Sequence, residues 1–292
     1  FRMPVSPPDL VECLKIASKA ARAAWDVIAP LREQPLQIFE KAGEGPATNA
    51  DIAADAVILR TLRQAFSDRQ FGYLTEEAEK GEERLALDYC WIIDPIDGTR
   101  DFIEGRPDWA VQIGLAGRLE PGGLYHALLG VVYEPLHHVL YAGIRGQGAF
   151  AENPEGTTRQ VISVSDQSVE SAMNMVVTRS GIGPRLQAAI DRLAPKEVYE
   201  RGSLGVKVCD VATGRADVYL NTSRRRCKEW DVCAPQAILE AAGGKLTDME
   251  GNPVTFNRGN YFIDEGVLAT NGRLHDTIAQ SLREVPILWR QV

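Results

Sequence analysis

Two aspartates, Asp94 and Asp97, follow directly on the apolar run Trp91-Ile92-Ile93 in the string Trp-Ile-Ile-Asp-Pro-Ile-Asp-Gly-Thr-Arg-Asp-Phe of residues 91–102. The run predicts the end of a buried strand, and Pro95 and Gly98 predict a sharp turn. Two carboxylates placed there repel, because burial and a neighbouring like charge both favour the protonated form. A bound divalent cation removes that conflict. Beyond the acids, the backbone N–H groups of Gly98 and Thr99 stand where a short helix would begin and could face an anion. The chemistry on offer is a phosphate seat beside a metal seat. The plainer reading is a strand-to-loop turn in which Asp94 caps backbone amides. The apolar lead-in, paired acids, glycine and threonine together favour the functional one.

Three more acids stand at similar places. Glu76, in Thr75-Glu76-Glu77, closes a predicted strand at 71–74, whereas Glu79, Glu82 and Glu83 read as a solvated loop. Asp51 falls in the first turn of a helix opened by Thr48-Asn49-Ala50, where its plain role is to complement the helix dipole. Asp231, after Cys227-Lys228-Glu229-Trp230, lies near the start of an apolar helix and is inferred to point at the cavity of Asp94 and Asp97; its plain role is capping. His137 and His138 sit at a turn without a Cys or Glu at ligand spacing and are expected to be exposed.

These residues need a frame. Ser6-Pro7-Pro8-Asp9 reads as a helix start with Ser6 as cap, followed by an amphipathic helix over 10–28. Residues 30–46 carry several prolines and read as an irregular connection. A second helix follows from Thr48, then strands at 109–116, 128–133 and 139–144 that suggest an antiparallel meander. The polar stretch 163–171 is a candidate boundary, dividing the chain into an N-terminal α+β part (1–168) and a C-terminal α/β part (169–292). In the second half, strands at 173–177, 198–199 and 217–220 alternate with helices at 184–193 and 206–213, a pattern of helices packed on a sheet.

The 292 residues, 45% hydrophobic and 25% charged, suffice for one large domain or two that share an interface. Net charge is −8, from 32 Lys and Arg against 40 Asp and Glu, which excludes a broad nucleic-acid or anionic-membrane surface. Five scattered cysteines without a Cys-x-x-Cys pair argue against a disulfide framework or structural zinc and for a reducing compartment. No secretory leader or 18-residue apolar stretch is evident, so a cytoplasmic protein is expected.

The string Trp91-Ile92-Ile93-Asp94-Pro95-Ile96-Asp97-Gly98-Thr99, with Glu76-Glu77 before it and Trp230-Asp231 ahead of Ala241-Ala242-Gly243-Gly244, resembles the inositol monophosphatase superfamily of magnesium-dependent, lithium-sensitive phosphatases. The likeness covers most of the chain. Residues 227–235 with Gly243-Gly244-Lys245-Leu246-Thr247-Asp248, and Thr178-Arg179-Ser180, look closer still to the 3′(2′),5′-bisphosphate nucleotidase branch. The resemblance implies an α/β (α+β layered) protein with the inositol monophosphatase-like sugar phosphatase fold, in alternating α-β-α-β-α layers.

It also implies roles. Glu76, Asp94 and the Ile96 carbonyl would hold one Mg2+, and Asp94, Asp97 and Asp231 a second, in a centre of two or three ions. Asp51 and Thr99 would be the catalytic pair that orients and deprotonates the attacking water, the hydroxyl donating to the carboxylate while accepting from water. Gly98, Thr99, Ser180, Gly205, Lys207 and Arg224 would bind substrate. Arg224-Arg225-Arg226 with Lys228 form the dense basic cluster of an acidic chain and would suit a second phosphate; the plainer reading is a solvated basic loop. Gly202-Ser203-Leu204-Gly205-Val206-Lys207 resembles a nucleotidase segment that lines substrate, with Leu204 where some relatives carry a small polar residue.

The expected function is hydrolysis of adenosine 3′,5′-bisphosphate to AMP and phosphate. The alternatives are an inositol monophosphatase or other sugar phosphatase, and a non-catalytic metal-binding regulatory relative. The expected partner is a small phosphorylated substrate, with no nucleic acid polymer and no membrane, the protein being a monomer or homodimer.

Overall fold

The computed structural model describes residues 7–41, 45–223 and 227–289. Helix α1 (Leu10–Arg32) is capped by Asp9, whose carboxylate accepts from the backbone N–H groups of Val11 and Glu12. The expected cap Ser6 lies outside the described residues, and Pro7 and Pro8 precede the helix instead of opening it. The helix also runs past residue 28, with Pro30 in its last turn costing one backbone hydrogen bond without ending it. Within the stretch read as irregular, β1 (Ile38–Lys41) and β2 (Gly45–Thr48) form an antiparallel ribbon. Pro46 is tolerated because a two-stranded ribbon leaves each strand an open edge.

Helix α2 (Asn49–Ala65) leads to β3 (Phe71–Thr75), β4 (Tyr89–Asp97), the one-turn α3 (Thr99–Ile103), β5 (Ala110–Arg118), β6 (Tyr125–Glu134), β7 (Val139–Ile144), β8 (Gly148–Glu152) and β9 (Arg159–Ile162). Strands β3 to β9 form a seven-stranded sheet in sequence order, β3 and β4 parallel and the rest antiparallel; β5 to β7 are the expected meander, which β8 and β9 extend. Then come β10 (Asn174–Thr178), α4 (Pro184–Leu193), β11 (Glu197–Arg201), α5 (Leu204–Ala212), β12 (Val218–Asn221), β13 (Cys227–Lys228), α6 (Glu229–Ala241), β14 (Lys245–Asp248), β15 (Phe262–Ile263), β16 (Val267–Thr270), α7 (His275–Arg283) and α8 (Pro286–Trp289). A second, mixed sheet has the order β11-β10-β12-β16-β14.

Strand alternation shows the layering. In β4, Trp91 and Ile93 pack with α1 and α2, while Cys90 and Ile92 face α5 and α6. In the second sheet, Val176, Tyr219, Val267 and Ala269 join that same α5/α6 core, and Met175, Val177, Val218, Leu220 and Leu268 pack under α4, α7 and α8. The layers therefore run α-β-α-β-α, with both faces of each of these two sheets covered. The five cysteines are free and buried, and among the described residues no helix is long and apolar enough to cross a membrane.

One feature of the first sheet places α6. Gly114, Gly130 and Gly143 are cross-strand partners on β5, β6 and β7, a side-chain-free row. A Cβ at Gly130 would stand 2.0 Å from the Ala234 carbonyl oxygen, and one at Gly114 2.7 Å from Cys233 Sγ. The helix backbone thus lies directly on the sheet. Gly130→Ala is expected to cost about 3 kcal/mol, as overpacking against a backbone that has nowhere to move does. Urea unfolding checks this, and a loss below about 1 kcal/mol would show that α6 is not so tightly seated.

Candidate active site

In a regular strand, residues three apart face opposite ways, so Asp94 and Asp97 could not meet. The register of β4 against β5 resolves this: Asp94 pairs with Gln112 and Asp97 with Ala110, so one extra residue is accommodated between them. This bulge, with Pro95 in it, turns both carboxylates to the face that carries Gln112. Ile96 goes to the opposite, α1/α2 core. Strand β3 runs parallel to β4 with Thr75 beside Ile93, and the Glu76 N–H donates to the Ile93 carbonyl at 3.2 Å. Glu76 therefore leaves the sheet alongside Asp94. Asp231, in the first turn of α6, accepts from the Lys228 N–H at 2.7 Å and is delivered by the glycine row beneath that helix.

Asp94, Asp97 and Asp231 each offer an oxygen, and these lie within 4.8 Å of one another. Glu76 lines the same cavity but stands outside that tight group, with Oε1 3.1 Å from Lys41 Nζ and 4.0 Å from Lys228 Nζ. Burial, then Glu76, Asp97 and Asp231, push Asp94 well above the carboxylate range. Burial, then Asp97 and Glu76, raise Asp231 to about 8. The donor set fits magnesium: hard carboxylate oxygens, crowded, buried, and mutually repelling without a cation.

A pH dependence follows. With folded-state pKa values raised above the unfolded ones, the folded chain holds more protons than the unfolded chain between roughly pH 4 and 8. Stability of chelator-treated protein is therefore fullest at the acid end of that window and falls as pH rises through it. Mg2+ should restore it at pH 8. Melting with chelator at pH 5 and pH 8, then with Mg2+ added, checks this; a midpoint rising with pH, or indifferent to Mg2+ at pH 8, would contradict it.

Asp51, buried at the start of α2, accepts at Oδ2 from the Thr48 N–H (2.8 Å) and Thr48 hydroxyl (2.6 Å). Its Oδ1 is 3.4 Å from Thr99 Oγ1, which also lies 3.0 Å from the Ile96 carbonyl oxygen. Burial raises Asp51 to about 6 against the pull of Thr48. A cavity of about 490 Å³ is walled by Glu76, Asp94, Ile96, Asp97, Gly98, Thr99, Arg100, Ser180, Lys207, Lys228 and Asp231, among others.

Of the expected substrate contacts, Gly98, Thr99, Ser180 and Lys207 line that cavity. Gly205 does not: its N–H is spent on Asp97 Oδ2 at 2.8 Å, because the start of α5 backs onto that carboxylate. Lys207 donates to the Gly202 and Ser203 carbonyls, and burial lowers it to about 8 against the attraction of Asp97 and Asp101. Arg224, with Arg225 and Arg226, lies outside the described residues. His137 and His138 are exposed, as expected, and His137 stands 3.5 Å from Asp108.

Several contributors were not singled out from the sequence. Lys41, on a strand read as irregular coil, bridges Glu76 and Glu77, at 3.1 and 2.7 Å. Ser203 and Gln112 grip Asp97, and Asp55 accepts from the Thr75 hydroxyl just before Glu76. Gln112 had a signal: it is the one amide inside the apolar run Trp109-Ala110-Val111-Gln112-Ile113.

A model of the inositol monophosphatase family matches residues 9–286. A 3′(2′),5′-bisphosphate nucleotidase CysQ of Shigella flexneri is 32% identical over 249 residues, 84% of this chain and 94% of its own length. An inositol-1-monophosphatase of Synechocystis is 30% identical over 296 residues, 98% of this chain and 94% of that protein. The solved structure of inositol monophosphatase from Anabaena superposes with a TM-score of 0.73 at 31% identity, covering 96% of this chain and 98% of that one.

Proposed function

The chain belongs to the inositol monophosphatase family and is a metal-dependent phosphoric monoester hydrolase, and from that premise we propose that it removes the 3′-phosphate of adenosine 3′,5′-bisphosphate, leaving AMP and phosphate. The observation that carries the substrate choice is the cationic part of the cavity wall. Arg100, Lys207 and Lys228 line a site that also carries the acid cluster, in a chain of net charge −8. Cations on that wall complement a second phosphate, as the acid cluster with its metals complements the transferred one. A cavity of about 490 Å³ is within the range that holds a ligand of nucleotide size. The similarity to bisphosphate nucleotidases points the same way.

Glu76, Asp94, the Ile96 carbonyl, Asp97 and Asp231 would hold the magnesium ions, which supply Lewis-acid polarisation and an acidified water. The chain's own residues do the rest. The Thr99 hydroxyl would donate its single proton to Asp51 Oδ1, 3.4 Å away, and leave its oxygen to accept from the attacking water. Asp51, held by two donations from Thr48 on its other oxygen, is the base behind that relay. The Gly98 and Thr99 amides would receive the phosphate oxygens as their charge redistributes. A P–O bond forms to water oxygen as the bond to the 3′ oxygen breaks; the attacking water's proton passes to Asp51, and the departing 3′ oxygen takes one from a second water to leave as a hydroxyl. Five buried free thiols suit a reducing, cytoplasmic setting.

Phosphate release across a panel, with and without Mg2+, tests the reading. The expected outcome is magnesium-dependent turnover, with kcat/KM for adenosine 3′,5′-bisphosphate at least about tenfold above that for myo-inositol 1-phosphate, about 1.4 kcal/mol of discrimination from the second phosphate. Equal or better hydrolysis of the inositol ester would replace the nucleotide with a sugar phosphate as substrate.

A further inference from the structure

Asp97 differs from its fellow acids in how it is held. Its Oδ2 accepts three hydrogen bonds, from Gln112 Nε2 at 2.5 Å, the Gly205 N–H at 2.8 Å and the Ser203 hydroxyl; Oδ1 receives none of these three, and the Leu204 N–H of the same turn also favours the charged carboxylate. The donors come from two layers, Gln112 from β5 and the other two from the turn that opens α5. Gln112 is fully buried and Ser203 nearly so, so neither has water as an alternative partner. Among the described residues the amide oxygen of Gln112 has no partner, and its nitrogen donates to the Asp97 carboxylate. At Gly205 a Cβ would stand 2.7 Å from the Gln112 side chain, so the glycine makes the close approach possible.

The turn itself is anchored from behind. The Ser203 N–H donates to the Asp108 carbonyl at 2.9 Å, and a Cβ at Gly202 would stand 2.3 Å from that same oxygen. Arg201, just before, reaches the buried carboxylates of Asp108, Glu134 and Asp210 at 2.6, 3.0 and 3.4 Å. The loop is thus pinned on one side by an arginine with three acids and on the other by its own grip on Asp97.

We propose that Ser203 and Gln112 are positioning residues that saturate Oδ2 of Asp97 and so present Oδ1 alone to a divalent cation, setting the affinity of the site for magnesium. The inference rests on Asp97 being a ligand, and it concerns how that ligand is aimed. A carboxylate with one oxygen committed binds through the other and cannot swing to chelate through both, which favours a cation that takes few protein oxygens and keeps its waters. Outer donors of this type are worth about 10- to 100-fold in metal affinity.

Calorimetric titration of Mg2+ into chelator-stripped, full-length protein tests this without any substrate. Ser203→Ala and Gln112→Met should each bind Mg2+ about 10- to 100-fold more weakly than the wild type. Ser203→Thr, which keeps the hydroxyl, should recover most of the affinity. At saturating Mg2+ the KM for the phosphoester should stay near the wild-type value, a split that general loosening of the fold would not give. Circular dichroism confirms folding, and the two variants sit on different elements, so one can stand if the other does not fold. Wild-type Mg2+ affinity in either folded variant overturns the proposal, as does a loss matched by an equal rise in KM. Asp97→Asn separates the levels: if it binds Mg2+ normally, the ligand assignment fails too, whereas a bisphosphate that is not hydrolysed by wild-type protein leaves the metal result standing and removes only the substrate reading.

Discussion

Asp94→Asn yields a folded protein whose magnesium-dependent phosphate release is lower by at least about 10³-fold, since several kcal/mol of charge stabilisation in the transition state depend on metals held in place. The same substitution leaves the chelator-treated protein at least as stable as the parent, because burial, Glu76, Asp97 and Asp231 all work against ionising this acid and an amide oxygen can still accept from the Ile96 N–H, 3.0 Å from Oδ1. That contrast is the useful part. A buried aspartate paired with a cationic side chain loses stability on amidation, whereas an acid kept for a cation loses function without losing stability. Thermal melting in chelator beside phosphate release with Mg2+ measures both. Near-normal turnover would refute the ligand assignment, and a large drop in melting temperature would make Asp94 a structural residue.

The second large effect belongs to the relay. Asp51→Asn and Thr99→Val are each expected to lower kcat by about 10²- to 10⁴-fold, the contribution of a positioned base. Because the hydroxyl acts only through the carboxylate 3.4 Å away, the double variant should be hardly worse than the slower single one. Multiplying losses would mean that the two act separately. Both variants should keep wild-type Mg2+ affinity, since neither side chain belongs to the carboxylate group that gathers the ions.

The acids themselves were legible because each stands at a place with a strong local signal. Asp94 and Asp97 follow an apolar run and share a string with Pro95 and Gly98; Asp231 opens an apolar helix; Glu76 ends a short strand. The meander β5 to β7 and the elements β10 to β12 with α4 to α6 could be read for the same reason, since strand and helix periodicities are local properties, whereas the strands and helices after α6 were not read. The ribbon of β1 and β2 was not legible. Strand β1 is largely exposed and the prolines around the ribbon read as breakers, so only the pairing across it makes it a strand pair. Lys41 was hidden with it.

Local patterning thus determined the acids, their order along the chain and the strands and helices around them, because burial periodicity and turn chemistry are written residue by residue; the five-layer stack was an expectation of the family resemblance. Whether those acids meet was decided elsewhere. The bulge between Asp94 and Asp97, the glycine row that lets α6 carry Asp231 onto the sheet, and the three donors on Asp97 Oδ2 depend on partners 15 to more than 100 residues away. A strand of period two would have split the pair of aspartates between opposite faces; only pairing with β5 turns them to the same side.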